Sequence, residues 1–266
     1  MPEFGVRSLV VDPDRTRTLY ALGDGVMRSR DGGLTWESAN RGLRNRLSAG
    51  TLTMDPLNPQ HLLLTSIAGV FTTFNGARRW SLLSTDLLGF TVTELGFDPY
   101  NPEIICAFSK EEGGYHRKPL TMHKSTDGGR SWVKTGSGLP ETGWVYQVVY
   151  DSKVRGRLYA ATTDGLYRSD DGGQEWFPMG LDWAECAAID PIDNHRVYAG
   201  TPNGVYVWDS SGRTWTRMSE GLDPGTGELS VSALAFDPFH PRTLYASTAG
   251  GIFVRTVTDS RGIPSH

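Results

Sequence analysis

The sequence has little cysteine, no surplus of positive charge and no long apolar run. Its 266 residues include two cysteines, Cys106 and Cys186, too few for a disulfide framework, and we expect buried free thiols. A net charge of −4 and a pI near 5.9 argue against general nucleic-acid binding, which needs a basic face. No apolar stretch approaches the roughly 18 residues of a membrane-spanning helix. We therefore expect no nucleic-acid partner and no membrane span.

Signatures of metal sites, nucleophilic serines and export are also missing. The six histidines are scattered, and His116 and His123 do not have zinc-ligand spacing. No strained elbow motif brings a serine nucleophile to an aspartate and a histidine. These absences predict no metal and no cofactor. Residues 1–8, MPEFGVRS, lack the apolar core of a signal peptide, which leaves the compartment open and export possible only if a signal was removed.

The sequence does contain many turn residues and tryptophans, arranged in a repeat. It has 32 Gly, 15 Pro and 8 Trp, which favours short strands joined by tight turns. One motif combines Ser, Asp, Gly and Trp; it occurs as SRDGGLTW, STDGGRSW and SDDGGQEW, and in weaker form as TFNGARRW and WDSSGRTW. The five motifs end at Trp36, Trp132, Trp176, Trp80 and Trp215. A period of about 40–50 residues with turn signals is typical of a repeat architecture.

A second marker shows the same repeat independently. An aspartate, usually followed by proline, occurs six times, and in every copy an apolar residue lies seven positions later. The aspartates are Asp12, Asp55, Asp98, Asp151, Asp190 and Asp237. Each copy can be divided into four short strands separated by the Asp-Pro turn, a Gly turn and the Ser-Asp motif. Four-stranded repeats that cannot bury both faces alone are the blades of a β-propeller.

The sequence therefore predicts an all-β, six-bladed β-propeller with four-stranded antiparallel blades, forming a single domain over 5–256. The blades are expected at 5–43, 44–86, 87–139, 140–181, 182–223 and 224–256, followed by a polar tail at 257–266. The sixth copy has no Ser-Asp motif and no final Trp, so we expect it to lack its outer strand. A fragment of a seven-bladed ring is the alternative.

The Ser-x-Asp-x-Gly-x-[Thr/Ser]-Trp pattern resembles the Asp-box, or bacterial neuraminidase repeat, of the sialidase superfamily. The fuller repeat, with its Asp-Pro, LYA and GVYRS elements, is similar to that of xyloglucanase-, sortilin- and photosystem II assembly-factor-type propellers. The resemblance covers residues 5–256 and implies the fold more than the function, because these relatives include hydrolases, receptors and scaffolds. It implies a structural role, with the carboxylates held in turns, for Ser29, Asp31, Trp36, Ser125, Asp127, Trp132, Ser169, Asp171 and Trp176.

Candidate binding residues are those that vary while the repeat is constant. Positions five and seven before each repeat aspartate lie at the start of the innermost strand, on the face where propellers bind ligands around the channel mouth. Copy three also replaces a short turn with SKEEGGYHRKPL, a departure that favours a functional loop. The resulting candidates for ligand binding are Arg7, Trp144, Tyr146, Trp183, Glu185, Tyr115, His116 and Lys118.

Three functions fit these candidates. The first is a non-catalytic scaffold that binds a glycan or a protein, with the aromatic rings as flat surfaces. The second is a glycosidase of sialidase or endoglucanase type, with Glu185, Tyr146 and Glu94 as candidate catalytic residues. The third is a protein-assembly factor that docks a partner on the same face. A sialidase needs three arginines and an [FY]-R-I-P start that are not seen here, so the prediction leans away from an enzyme. The oligomeric state is left open.

Overall fold

The fold is an antiparallel all-β structure, seen here in a computed structural model that describes residues 5–43, 49–111, 120–210, 213–222 and 229–257. Over these residues the chain forms 23 strands and no helix. The described part of the chain therefore contains no helix that could cross a bilayer. The strands make six sheets in which sequence neighbours are hydrogen-bonded neighbours. These sheets are propeller blades, and the predicted six-bladed β-propeller fold is confirmed.

The chain divides into two compact units, and the first, Met1–Gly136, contains blades one to three. Blade one consists of β1 (Ser8–Val11), β2 (Leu19–Leu22), β3 (Val26–Ser29) and β4 (Glu37–Ser38). Blade two consists of β5 (Ala49–Asp55), β6 (Asn58–Ser66), β7 (Gly69–Thr73) and β8 (Ser81–Ser84). Blade three consists of β9 (Phe90–Asp98), β10 (Asn101–Glu111), β11 (Leu120–Ser125) and β12 (Val133–Thr135).

The second unit, Ser137–His266, contains blades four to six. Blade four consists of β13 (Val145–Tyr150), β14 (Leu158–Thr162), β15 (Gly165–Ser169) and β16 (Phe177–Pro178). Blade five consists of β17 (Cys186–Ile189), β18 (Arg196–Thr201), β19 (Gly204–Asp209) and β20 (Thr214–Arg217). Blade six has three strands within the described residues, as expected: β21 (Val231–Phe236), β22 (Thr243–Thr248) and β23 (Gly251–Thr256).

Neighbouring blades within a unit pack through apolar side chains that alternate along the strands. In the second unit, Tyr198 and Val205 of blade five pack with Leu234 and Leu244 of blade six. Both cysteines are buried and neither forms a disulfide. Val257, which the sequence assigns to the tail, is buried in the cluster of blades five and six.

The six repeat aspartates all make the same pair of hydrogen bonds. In each copy Oδ1 accepts the backbone N–H groups two and three residues later, at donor–acceptor distances between 2.8 and 3.1 Å. Five of the six side chains are buried, and only Asp237 is not. The carboxylate accepts hydrogen bonds from two N–H groups of the turn that would otherwise lack a partner where water is excluded. This explains why an aspartate recurs at this position.

The Ser-Asp motifs form a second type of turn, between the third and fourth strands of a blade. In the first copy Ser29 donates its hydroxyl hydrogen to Asp31 Oδ1 at 2.8 Å, and Asp31 accepts the N–H of Thr35 at 2.9 Å. The Trp36 indole N–H donates to the carbonyl of Gly33 at 3.0 Å. The copies at 125–132 and 169–176 repeat these bonds. These aspartate carboxylates are therefore occupied by their own turns.

The glycine turn between the second and third strands adopts one of two conformations. Gly69, Gly165, Gly204 and Gly251 have φ between 108° and 127°, as expected for a turn glycine. Gly25 does not have a positive φ. A glycine is needed there because it has no side chain, since a Cβ would lie 2.9 Å from the side chain of Asn40. Asn40 Oδ1 accepts the N–H of Val26 at 2.7 Å, so the asparagine replaces part of the turn.

Removing a buried repeat carboxylate should cost stability. We expect Asp190→Ala to lower the free energy of unfolding by about 1–3 kcal/mol, since the N–H groups of Ile192 and Asp193 lose their acceptor. Asp237→Ala is the matched control, because the same two bonds lie at the surface and water can replace the carboxylate. Urea unfolding of the two variants measures the difference; equal losses would contradict a role that depends on burial.

The Ser-Asp turns should weaken in acid. Hydrogen bonds from the side chain and backbone of Thr35, and of Ser131, lower the pKa of Asp31 and of Asp127 to about 2, against an ordinary value of 3.8. Because the folded pKa is depressed, the stabilisation is complete above about pH 4 and is lost as the pH falls toward 2.

The measurement is the melting temperature between about pH 6 and pH 2 for the wild type and for the double variant Asp31→Asn, Asp127→Asn. The difference between the two should be largest near neutral pH and should shrink toward pH 2. Asp14→Asn, an exposed aspartate whose carboxylate has no hydrogen bond among the described residues, should follow the wild type. A difference independent of pH would show that these carboxylates do not hold the turns in their charged form.

Candidate functional site

The candidate residues of the second unit come from three consecutive blades. Trp144 precedes β13 and Tyr146 lies on it, Trp183 and Glu185 precede β17, and Ser230 precedes β21. Tyr146 and Glu185 occupy one repeat position, five before the aspartate, and Trp144, Trp183 and Ser230 occupy another, seven before it. The equivalent ends of the innermost strands therefore bring these five side chains to one edge of blades four to six. We call them the aromatic patch.

The aromatic rings of the patch are half-exposed. Tyr146 and Trp183 stack across neighbouring blades, with ring centroids 6.3 Å apart and planes inclined by 25°. Their side chains are 42% and 40% exposed, and Trp144 is 46% exposed. The fully buried Trp80 and Trp176, at 2% and 1%, show how a tryptophan used for core packing differs in this chain. The patch rings thus present apolar surface to solvent beyond what packing requires.

The patch contains one carboxylate, and a neighbouring blade holds it. Ser230 Oγ lies 3.3 Å and 3.2 Å from Oε1 and Oε2 of Glu185 and donates its hydrogen to the carboxylate. The backbone N–H of Glu185 donates to the carbonyl of Gly200 at 2.8 Å, which fixes the start of the strand. Glu185 is half-buried, so its remaining lone pairs can still be reached by a ligand.

Tyr146 is a neutral phenol in this setting. Partial burial raises its pKa above the ordinary value of 10.0, and the charge of Glu185 raises it further. Both causes disfavour the phenolate, so Tyr146 keeps its proton at neutral pH and can donate a hydrogen bond. No described hydrogen bond joins its hydroxyl to Glu185.

The backbone around Trp144 is fixed by a residue that the sequence does not single out. Thr163 Oγ1 accepts the Trp144 N–H at 3.1 Å, and Thr163 N–H donates to the Trp144 carbonyl at 3.1 Å. Gly143, with φ of 132°, has no room for a side chain because a Cβ would overlap Thr163 Oγ1. These hydrogen bonds join the start of blade four to the Gly turn of the same blade, and no sequence motif predicts them.

The other candidates fall elsewhere. Arg7 and Glu94 belong to the first unit: Arg7 is exposed and its N–H donates to Leu22 at 2.7 Å, while Glu94 is half-buried on β9, opposite Phe108. Tyr115, His116 and Lys118 lie outside the described residues. Among residues that the structure describes, no three histidine, cysteine or acidic side chains gather as metal ligands would.

The fold matches known propellers, although the sequence does not lead to a family. No protein-family model matches the chain, and no curated protein matches it. An ancestral GH74 enzyme matches with a TM-score of 0.78 and 21% identity, over 97% of this chain and 36% of that one. The GH74 xyloglucanase from Xanthomonas campestris matches with a TM-score of 0.63 and 18% identity, over 92% and 42%.

A third match is to a protein solved with a peptide. YCF48 bound to D1 peptide has a TM-score of 0.66 and 14% identity, and the match covers 97% of this chain and 80% of that one. This chain spans less than half the length of the two GH74 enzymes. At these identities the matches show the fold, and they confirm the resemblance to xyloglucanase-type propellers at that level. The chain is thus similar in fold to GH74 xyloglucanases and to YCF48.

Proposed function

We propose that this chain is a non-catalytic glycan-binding propeller whose ligand lies on the aromatic patch. The observation that carries the proposal is the stacked pair of half-exposed rings, Tyr146 and Trp183, beside the carboxylate of Glu185. Sugar rings have an apolar face of C–H groups and a rim of hydroxyls. The aromatic rings offer a surface on which the C–H face can pack, and the carboxylate accepts hydrogen bonds from the hydroxyls.

Glycan binding also agrees with how the patch is built. Its rings come from rigid strand ends in neighbouring blades, so a ligand would pay little conformational cost to order them. The solved propellers that share this fold include GH74 enzymes, one of them a xyloglucanase. The fold is therefore compatible with a carbohydrate ligand.

A glycoside hydrolase is supported less well by the geometry. Retaining and inverting mechanisms both use two carboxylates that flank the scissile bond, and the patch contains one, Glu185. Tyr146 would need an activated phenol to act as a nucleophile, whereas its pKa is raised.

Protein binding is the second candidate, favoured by YCF48, which shares the fold and was solved with a D1 peptide. Half-exposed Trp and Tyr side chains are also the residues that dominate protein interfaces. The two ligand classes can be separated by experiment, because oligosaccharides and peptides can each be offered to the protein alone.

The test is an oligosaccharide panel read for both bound ligand and released product. Trp183→Ala should weaken glycan binding at least about tenfold, because it removes one of the two stacked rings. Glu185→Gln should weaken it less, since the amide keeps one acceptor oxygen. Phe177→Ala is the matched control: this ring is 52% exposed, lies in the same unit and is outside the patch.

Two results would contradict the proposal. Product release that disappears in Glu185→Gln would show a hydrolase with Glu185 in the chemistry. The patch would be a protein-docking surface if no glycan bound and if a peptide bound to the wild type but not to Trp183→Ala.

A further inference from the structure

Among the described residues, each seam between neighbouring blades of a unit contains a tryptophan, except the seam between blades five and six. Trp80 fills the seam of blades one and two, and Trp132 packs with Leu63 and Val70 in the seam of blades two and three. Trp215 of blade five packs against blade four. Blade six has no tryptophan among its residues, described or not.

In two of these seams the indole binds the same carbonyl position of the preceding blade. Trp80 Nε1–H donates to the carbonyl of Ala39, and Trp215 Nε1–H donates to that of Met179, both at 2.8 Å. Ala39 and Met179 are equivalent, because each donates its N–H to the residue after the Gly turn of its own blade. In blade five the residue with this bond is Met218, which donates to Val205.

The seam without a tryptophan contains a groove. The groove has a volume of about 370 Å³, and its walls include Val205, Met218, Leu222, Leu244, Ala246 and Phe253. Met218 and Val205 are the blade-five equivalents of the residues that mark the indole site in those two seams, which are Ala39 with Val26 and Met179 with Leu166. The groove therefore lies at the position that a tryptophan indole occupies in those two seams.

The strand beside the groove is an edge. β23 is hydrogen-bonded to β22 and to no other strand of the described chain, whereas the third strand of every other blade is paired on both sides. Ile252 and Val254 of β23 are 77% and 64% exposed. An unpaired strand edge is a template for strand addition.

The register of blade five shows where an added aromatic residue would lie. In blade five Trp215 is paired with Trp208, and the two rings are 5.4 Å apart. The residue of blade six equivalent to Trp208 is Arg255, which also lines the groove, is exposed and has no ion pair within the described residues. A guanidinium at this position is electrostatically complementary to the face of an indole.

We propose that this groove binds an extended segment of a partner protein, which adds to β23 as the fourth strand and inserts an aromatic side chain between Met218 and Arg255. The strand supplies backbone hydrogen bonds along β23, and the aromatic residue supplies the packing that Trp215 provides one blade earlier. This site is separate from the aromatic patch and does not rest on the proposed function.

The test uses a fluorescein-labelled peptide, RTWTRMS, which is the sequence of residues 213–219 and carries the seam tryptophan. Fluorescence polarisation with the full chain should show saturable binding, and replacing the tryptophan of the peptide with alanine should weaken it at least about tenfold. Arg255→Ala should weaken binding by about twofold to fivefold, the range of an exposed cation–π contact. Phe239→Ala, an exposed residue of the same blade that lies neither on β23 nor in the groove, should leave the affinity unchanged.

A variant that lacks residues 258–266 separates the two sources of a fourth strand. Equal affinity of the full chain and this variant supports a partner segment. Binding by the shortened chain alone would overturn the proposal, because the chain's own C-terminal residues would then occupy the edge. No binding by either, or equal loss in Phe239→Ala and Arg255→Ala, would overturn it as well. None of these results depends on whether the aromatic patch binds a glycan.

Discussion

The structure depends on the hydrogen bonds that one carboxylate makes in the first turn of every blade. Asp12 and its five equivalents each accept two backbone N–H groups, so that the innermost strand can reverse into the second strand without leaving buried donors unpaired. The constraint acts at a fixed position and at one end of the blade. The other end of the innermost strand is not held by it, which is where Tyr146, Trp183 and Glu185 lie.

The candidate site and the open groove follow from the same repeat in opposite ways. The patch arises where the repeat leaves side chains unspecified, and large aromatic residues there stay half-exposed instead of packing. The groove arises where the repeat specifies a tryptophan that blade six does not supply. In both places the surface is identified by residues that differ between the copies, because the hydrogen bonds that the copies share are made within their turns.

The fold could be predicted because its determinants are local in sequence. The spacing from Asp190 to Val197 predicts a turn and a strand, and the hydrogen bonds of the Asp31 carboxylate are confined to residues 29–35. The patch could be predicted only as a set of positions. That Tyr146 stacks on Trp183, or that Ser230 binds Glu185, depends on how neighbouring blades pack, and no spacing encodes it. Thr163 was missed because its partner is a backbone group rather than a motif.

The central claim, that the aromatic patch holds a glycan, is tested most directly by NMR of the tryptophan indole N–H groups during titration with the oligosaccharide that binds best. The account predicts that the signals of Trp144 and Trp183 shift together and saturate, while that of the buried Trp176, whose indole N–H donates to Gly173, stays in place. Saturation binding that leaves the Trp144 and Trp183 signals unmoved would contradict it.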